Sequence, residues 1–376
     1  MAGEIIGAVI MIGRGGHTPQ EMLVAAAQRA CTLDLIGALQ RQGIDRIILA
    51  TPCADWLPAG LTITVDRDPP GGFVFGRRLA EVIQRHALSR VLYFGGGSTP
   101  LLDGPVLSQI IAMLDRPPAA TANTPDRIVL TNNLHSSDWL ALTGAQDALP
   151  IIRRAERDNS LAWLLNHSGT YDVHVLARKR PAAGMDLDTP ADLAIIARHP
   201  GIQPHLAAAV RHPLLDSLPV QQIARIAATP ESHLTLIGRV SPQAWQALNR
   251  ATQCWVRVFA EERGMVASGR LARGEVRSLI GELIRLQGPQ TFFKTLASMT
   301  QAAIIDSRPL MAACSHWPDD ADRFASDLFL VDSIKDGWLR DFTAAAREAP
   351  IPVLLGGHGV VAGSLYALAE IIERAG

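Results

Sequence analysis

The order of short apolar runs and helical stretches in residues 1–200 is the strongest constraint on the fold. Runs such as "EIIGAVIMIG", "DRIILAT" and "SRVLYF" have the length and apolar character of buried strands. They alternate with segments of helical spacing, and none shows a strict alternation of apolar and polar residues. This order predicts an α/β fold with a mainly parallel sheet that carries helices on both faces.

Capping signals mark the ends of several predicted helices. Thr18 and Pro19 begin the first helical stretch and Gly43 ends it, while Thr189 and Pro190 begin another. The pattern predicts a short helix over "SDWLAL" and a single capped helix over "SPQAWQALNRATQCWVRVFAEERG". The segment "QAAIIDSRPLMAA" is predicted as a strand that runs into a turn.

The chain length of 376 residues is sufficient for two domains. The segment 199–219, "HPGIQPHLAAAVRHPLLDSLP", is rich in proline and histidine and has the character of a junction that could include one helix. Beyond it, "HLTLIGRV" and "PIPVLLGG" are predicted strands. We therefore predict a first domain over 1–200, a linker over 201–219 and a smaller α/β domain over 220–376.

Composition narrows the class of protein. The chain is 48% hydrophobic and 19% charged with a formal net charge of -1, which suits a globular core and argues against a nucleic-acid partner. The 4 cysteines include no C-x-x-C pair, which predicts neither disulfides nor a zinc site. No basic leader segment is present, and no run reaches the roughly 18 apolar residues of a membrane span. We expect a cytoplasmic protein without a membrane partner. The sequence leaves open whether the protein forms a homodimer.

Two glycine-rich turns follow predicted strands, at residues 13–16 and 95–98. The N–H groups of such turns can face an anion, and parallel sheets bind ligands beyond the carboxyl ends of their strands. No lysine is near the first turn, so Arg14 would supply its positive charge. The predicted phosphate-binding residues are Gly13, Gly15, Gly16, Gly95, Gly96, Gly97 and Ser98.

A third segment, "GMDLDTPADLAIIARHP", places two carboxylates between a strand end and a helix. Asp186 and Asp188 could hold Mg²⁺ through oxygen ligands, and the ion would bridge to phosphates while keeping several waters. Alternatively, Asp188 caps the turn and Asp186 is simply solvated. The residues alone leave both interpretations open.

These motifs together resemble the MobA-like nucleotidyltransferase superfamily. The resemblance rests on "DLDTPADL" with its helix and on the central segment "VLYFGGGSTPLLDGPVLSQII", and it covers residues 4–200. It implies a nucleotide-diphospho-sugar transferase-like fold in which an NTP lies over the first glycine turn. A second substrate with a phosphate attacks the α-phosphorus, pyrophosphate leaves, and Mg²⁺ assists. The implied catalytic residues are Arg14, Asp186 and Asp188, and the two aspartates are the implied metal ligands.

The sequence departs from that family at its nucleotide site. The first turn lacks the family's lysine, and Ser98 stands where the family has a metal-binding aspartate. A hydroxyl brings no negative charge, and losing a metal carboxylate commonly costs several kcal/mol of transition-state stabilisation. Two alternatives to a nucleotidyltransferase therefore remain. The protein is a non-catalytic sensor or scaffold that binds a nucleotide or phosphometabolite, or its chemistry lies in the C-terminal domain.

Two further groups of polar residues follow predicted strands. Asn132, Asn133 and Asp138 stand where the family's fold binds its second substrate, although they could equally form a turn and a helix cap. The C-terminal region carries polar residues after two predicted strands but no G-x-S-x-G elbow. The residues of this C-terminal candidate site are Asp306, Arg308, His316, Gly357 and His358.

Overall fold

The computed structural model describes most of the chain as two compact units. The described residues are 6–13, 15–69, 71–115, 127–135, 137–176 and 184–375. The predicted catalytic residue Arg14 lies outside them. The first unit comprises Met1–Arg14 and Gln28–Gly184, and the second comprises Gly15–Ala27 and Met185–Gly376. Asp186 and Asp188 thus belong to the second unit, whereas the sequence analysis places them in the first domain.

The described part of the first unit contains a seven-stranded sheet in the order β3-β2-β1-β4-β6-β5-β7. Neighbouring strands pair in parallel except for β6, which is antiparallel to both β4 and β5. The strands are β1 (Ile6–Met11), β2 (Ile47–Thr51), β3 (Thr64–Arg67), β4 (Arg90–Gly95), β5 (Ile128–Thr131), β6 (Trp139–Leu142) and β7 (Asp172–Val175).

Helices cover both faces of this sheet. They are α1 (Pro19–Arg41), α2 (Phe75–Arg85), α3 (Gly104–Leu114), α4 (Ala145–Ile152) and α5 (Leu161–His167). Successive strand residues point to opposite faces, so Val9 packs in a core with α2, α4 and α5. Ile10 packs in the other core with α3 and the C-terminal half of α1. The predicted mainly parallel sheet with helices on both faces is confirmed.

Among the described helices, α1 alone is long and apolar enough to cross a membrane. This judgement rests on its 23 residues and their hydropathy, and 61% of its most apolar window is buried inside the fold. A core helix of a globular protein meets the same criterion, so the finding is weak evidence for a membrane. The cytoplasmic location stays a prediction.

The second unit contains a sheet of four parallel strands in the order β11-β10-β8-β9. The strands are β8 (His233–Gly238), β9 (Trp255–Ala260), β10 (Ala302–Asp306) and β11 (Val353–Gly356). The helices before β8 are α6 (Pro190–Ile196), α7 (Pro204–Ala209), α8 (Pro213–Asp216) and α9 (Val220–Ala227). The later helices are α10 (Pro242–Ala251), α11 (Leu279–Gln287), α12 (Pro289–Ala297), α13 (Ser307–Ala313), α14 (Asp320–Asp327), α15 (Gly337–Arg347) and α16 (Gly363–Ala375).

Several predicted elements differ from the structure. "SDWLAL" contains the strand β6 rather than a helix. Its four apolar residues fit a helix and a strand equally well, and pairing with β4 and β5 selects the strand. The predicted long helix ends at Ala251, and the β-favouring residues Trp255–Ala260 then form β9. The turn predicted after β10 is the first turn of α13. The predicted linker, for which the sequence allowed one helix, contains α7 and α8, whose Leu206 and Leu215 are fully buried.

Candidate functional site

The glycine turn at residues 95–98 contacts the end of β1, directly before Gly13, at one edge of the sheet of the first unit. The Gly96 N–H donates to the Met11 carbonyl at 2.8 Å, and a β-carbon on Gly96 would stand 2.7 Å from Ile12 Cγ1. Gly13 is exposed, and apart from its chain neighbours no atom of the described residues lies within 4 Å of where its β-carbon would be. The strand order reverses between β1 and β4, and such reversals are where α/β sheets bind ligands.

The turn after β4 is closed by Ser98 itself. Ser98 Oγ donates to the Gly95 carbonyl at 2.8 Å, and the residue is 2% exposed. Thr99 has φ 56°, a left-handed conformation that costs a β-branched residue roughly 1–3 kcal/mol. Among the described residues, none forms a hydrogen bond with the buried Thr99 Oγ1. In this structure Ser98 is a buried part of the turn, and its hydroxyl does not open to solvent.

The loop between β5 and β6 lies beside the same turn. The Gly95 N–H donates to the Asp138 carbonyl at 3.1 Å. Asn132 Nδ2 donates to Asp138 Oδ2 at 2.5 Å, and the Asp138 N–H donates to Asn132 Oδ1 at 3.1 Å. Asn133 Oδ1 accepts from the His135 N–H. These side chains hold the loop together, and their contact with a second substrate stays a prediction.

Gly15 and Gly16 belong to the second unit and precede helix α1. Glu21 Oε2 accepts hydrogen bonds from the Thr18 N–H, the Thr18 hydroxyl and the His17 N–H. The bond from the Thr18 backbone, supported by that from His17, lowers the pKa of Glu21. A β-carbon on Gly16 would overlap Glu21 Cβ at 1.9 Å. The Glu21 carboxylate thus occupies the N-terminus of α1, where an anionic ligand would otherwise bind.

Asp186 and Asp188 form a carboxylate pair in the second unit. Their side chains are hydrogen-bonded to each other, and Asp186 Oδ1 also accepts from the Leu187 N–H at 2.9 Å. Crowding by surrounding protein raises the pKa of Asp188, against the Asp186 hydrogen bond and the charges of Arg239 and Arg308. The Asp188 side chain is nevertheless exposed to solvent.

This pair fits the chemistry of Mg²⁺. The ion is commonly held by one or two carboxylates, several waters and substrate phosphates. The described residues include no group of three or more His, Cys, Asp or Glu side chains that could hold a metal. The remaining ligands of an ion at Asp186 and Asp188 would therefore be water or substrate oxygens.

The helix that follows the pair is held by a buried capping box. Asp192 Oδ2 accepts from the Thr189 N–H at 3.0 Å and the Thr189 hydroxyl at 2.7 Å. Asp192 Oδ1 accepts from the Ser364 hydroxyl at 2.6 Å. Asp192 is fully buried, and this burial raises its pKa to about 7, against the Ser364 hydrogen bond.

Two arginine–carboxylate pairs stand at the carboxyl ends of β8 and β10. Arg239 Nε and Nη2 donate to the two oxygens of Asp306 at 2.6 and 3.0 Å. Burial opposes the ionisation of Asp306, but the charge of Arg239 and its hydrogen bonds keep the pKa low. Arg308 Nη1 and Nη2 donate to the two oxygens of Asp327 at 2.6 and 2.7 Å, deep inside the unit.

The structure brings four of the five C-terminal candidates together. A β-carbon on Gly357 would lie 3.8 Å from Arg308 Nε, and His358 is hydrogen-bonded to the Arg239 backbone. Crowding by surrounding protein, followed by the charge of Arg239, lowers the pKa of His358 to about 4, although the residue keeps contact with solvent.

His316 lies elsewhere, beyond the C-terminal end of α13. Its Nδ1 contacts Asp336 Oδ2 at 2.9 Å, and its ring stacks on Trp338. Two serine hydroxyls of this unit have other partners, since Ser307 donates to the Gly356 carbonyl and Ser364 donates to Asp192. These contacts do not form a serine–histidine–aspartate triad.

Sequence reasoning missed Arg239, the residue that joins these groups. The available signal was the "GR" dipeptide directly after a predicted strand and before a capped helix. Gly238 has φ 114°, and a β-carbon there would stand 2.6 Å from Asp306 Cβ. Glycine is therefore required for the close approach of β8 to Asp306.

No protein-family model and no curated protein matches this chain. Among solved structures, it is similar to a cytidylyltransferase from Leptospira borgpetersenii, with 9% identity, a TM-score of 0.38 and coverage of 55% of this chain and 92% of the other. A 2-C-methyl-D-erythritol 4-phosphate cytidylyltransferase from Thermus thermophilus has 13% identity and a TM-score of 0.33, with coverage of 54% of this chain and 97% of the other. A putative nucleotide-diphospho-sugar transferase from Desulfovibrio desulfuricans has 10% identity and a TM-score of 0.33, with coverage of 44% of this chain and 79% of the other. TM-scores this low say nothing about activity. The description of the fold rests on the strand order.

Proposed function

We propose that the first unit binds a nucleotide through its phosphates at the carboxyl edge between β1 and β4. The observation that carries this proposal is the contact of Gly96 with Met11 and Ile12, directly before Gly13, where the strand order reverses. Gly13 leaves the backbone open at this edge, so N–H groups can approach phosphate oxygens closely. The resemblance of the sequence motifs to nucleotidyltransferases supports the same ligand.

The variant Gly13→Glu tests this proposal without disturbing packing, because a side chain at this position enters open space. A carboxylate beside the phosphates should weaken NTP binding about tenfold or more. Binding of ATP, GTP, CTP and UTP, with and without Mg²⁺, is measured by calorimetry. Gly13→Ala adds a side chain without charge, and Asn166→Asp adds a charge on the exposed surface of α5. Both controls should bind as the wild type does, and a Gly13→Glu protein with unchanged affinity would refute the site.

We further propose that the protein transfers a nucleoside monophosphate from an NTP to a phosphate-bearing metabolite. The paired carboxylates of Asp186 and Asp188, one of them open to solvent, favour this second function. Bound Mg²⁺ would neutralise phosphate charge. An acceptor oxygen forms the new bond to the α-phosphorus, and the bond to the β-phosphate oxygen breaks with release of pyrophosphate. Asp186 and Asp188 would hold the metal, while Asn132, Asn133 and Asp138 remain the predicted contacts of the acceptor.

Binding of Mn²⁺, followed by the loss of its free electron-paramagnetic-resonance signal, tests the metal ligands apart from activity. Asp188→Asn and Asp186→Asn should each weaken binding at least about tenfold. Asp332→Asn removes an exposed carboxylate elsewhere in the second unit and should have no effect. Release of pyrophosphate from an NTP with a panel of phosphate monoesters then separates a transferase from a sensor. Mg²⁺-independent nucleotide binding without pyrophosphate release would favour the sensor.

A further inference from the structure

Strand β9 is an edge strand of the sheet in the second unit, and its outer side is unpaired. It pairs in parallel with β8, and this pairing uses the backbone groups of alternate residues from Trp255 to Glu261. The N–H and C=O groups of Val256, Val258 and Ala260 therefore point away from β8. No described residue forms a backbone hydrogen bond with these outward groups. The outer side of β9 can thus accept one more strand.

The other edge strands have features that oppose such an addition. Strand β11 is buried along its whole length, and β3 and β7 are 4 residues long and carry charges such as Asp66 and Asp172. Strand β9 is 6 residues long and contains neither proline nor glycine. Its one charged side chain, Arg257, donates through Nη1 to the Met299 carbonyl at 2.6 Å. Among the described strands, β9 is therefore the edge least protected against pairing with another chain.

Exposed apolar side chains flank this edge strand. Trp255, the first residue of β9, is 63% exposed. Helix α11 is attached to the end of the strand, because Glu261 accepts a hydrogen bond from the hydroxyl of its N-cap residue Ser278. On this helix Leu279 and Leu286 are 80% and 72% exposed. These side chains can add apolar area to the small area that a strand pair alone buries.

The backbone of β9 can pair with a second copy of itself in antiparallel orientation. A two-fold axis perpendicular to the sheet at Phe259 brings the outward groups of Val258 opposite those of Ala260 in the copy, and the reverse. The extended backbone continues one residue beyond β9, since the Glu261 N–H donates to the Gly238 carbonyl at 2.9 Å. Residues 257–261 of each copy therefore face each other along their whole length.

The charges of the strand favour this register. It places Arg257 directly opposite Glu261 of the copy, and the symmetry of the pair repeats this contact. A register centred on Arg257 would place two arginines opposite each other, which is destabilising. A register centred on Val258 would place Glu261 opposite Trp255 and would leave its charge without an opposite charge. This charge complementarity between identical segments favours a second copy of the chain over an unrelated strand.

We propose that β9 is a dimerisation strand, at which two copies of this chain pair antiparallel and join the sheets of their second units into one. Because the two-fold axis is perpendicular to the sheet, both copies of α11 lie on the same face of the joined sheet. There Leu279 and Leu286 are open to contact with the partner. The strand pair includes neither the proposed nucleotide site of the first unit nor the aspartates proposed to hold a metal.

Sedimentation of the full chain in the analytical ultracentrifuge tests the proposal, and the wild type should be a dimer at micromolar concentration. Val258→Pro removes an outward N–H but no bond to β8, and it should raise the dissociation constant of the dimer at least about tenfold. The matched control Val258→Thr keeps both the N–H and the β-branched shape, so it should dimerise as the wild type does. Circular dichroism compares the folding of the two variants.

Disulfide formation is a second measurement that does not depend on the proline variant. Phe259→Cys places two thiols at a pair without hydrogen bonds, where the Cα atoms are about 4.5 Å apart and a disulfide can form. Mild oxidation should therefore give a covalent dimer. Trp255→Cys is a more exposed control that should not be linked, because residue 255 and its copy would be about 26 Å apart. The wild type controls for the 4 native cysteines.

Three results would overturn the proposal. The first is a wild-type protein that stays monomeric up to about 100 µM. The second is a folded Val258→Pro variant that dimerises as tightly as the wild type. The third is faster linking of Trp255→Cys than of Phe259→Cys, because the copies would then meet through another surface or only by collision.

Discussion

The carboxyl edges of the two sheets differ in the groups that they offer to a ligand. In the first unit the edge is built from glycine backbone and from neutral or locally paired side chains, such as Ser98 and Asn132. In the second unit it is built on buried guanidinium and carboxylate groups. The first edge therefore offers mainly backbone N–H dipoles, whereas the second offers full charges that ion pairs hold at fixed positions. The carboxyl edges of the two sheets therefore differ in the type of polar group that they present.

The largest expected effect comes from breaking a buried ion pair of the second edge. Asp327→Ala leaves Arg308 buried without its carboxylate and should lower the free energy of unfolding by about 3–5 kcal/mol. Replacing both residues, as in Arg308→Met with Asp327→Leu, should recover most of that loss. Urea denaturation measures both variants. If Asp327→Ala is as stable as the wild type, the pair does not hold a fixed charge at this edge.

A charge placed in the first edge should be tolerated poorly. Ser98→Asp restores the residue type of the resembled family, but it puts a carboxylate where the side chain is 2% exposed. We expect a loss of about 2–4 kcal/mol in the free energy of unfolding, against about 1 kcal/mol for Ser98→Ala. Gain of Mn²⁺ binding by Ser98→Asp without loss of stability would show that the first edge accepts a metal after all.

The buried carboxyl group of Asp192 should make the stability of the protein depend on pH. Its pKa is raised from 3.8 to about 7, so between those values the folded protein keeps a proton that the unfolded chain releases. The free energy of unfolding should therefore fall as pH rises through this range, by up to about 4 kcal/mol. Asp192→Asn removes this contribution, whereas the other titrating groups act alike in both proteins. Urea denaturation at several pH values should give a difference between them that changes with pH. A constant difference would contradict the assignment.

The smallest expected effect concerns the strained turn after β4. Thr99→Gly relieves the left-handed conformation and removes the unpartnered hydroxyl, and it should raise the free energy of unfolding by roughly 0.5–1 kcal/mol. Thr99→Ala removes the hydroxyl but keeps the conformational strain, so its effect should be smaller. Thermal unfolding compares the two variants. A loss of stability in Thr99→Gly would mean that the threonine contributes packing that outweighs its strain.

The main features of the fold were predictable because burial leaves a local signal. Strand β2, "IILAT", is buried along its whole length, and its sequence is apolar and β-branched. Strands β6 and β9 were not predicted, since both hold short apolar runs that suit a helix equally well. Their conformation is decided by pairing with strands that are distant in the sequence.

The candidate site was only partly predictable for a related reason. The sequence placed Asp306, Arg308 and His358 after strands, and the structure groups them. It did not single out Arg239, whose partner Asp306 lies 67 residues away. The separation of His316 from the other candidates could not be predicted either, because it depends on contacts with Asp336 and Trp338 beyond α14.

The bond between Ser364 and Asp192 has a consequence for how this protein can be divided. It ties the helix after the aspartate pair to α16, the last helix described, across 172 positions of sequence. A fragment ending near residue 200 would keep Asp186 and Asp188 but lose the hydroxyl that anchors the helix behind them. The helix behind the aspartate pair therefore depends on the C-terminal region for one of its buried hydrogen bonds.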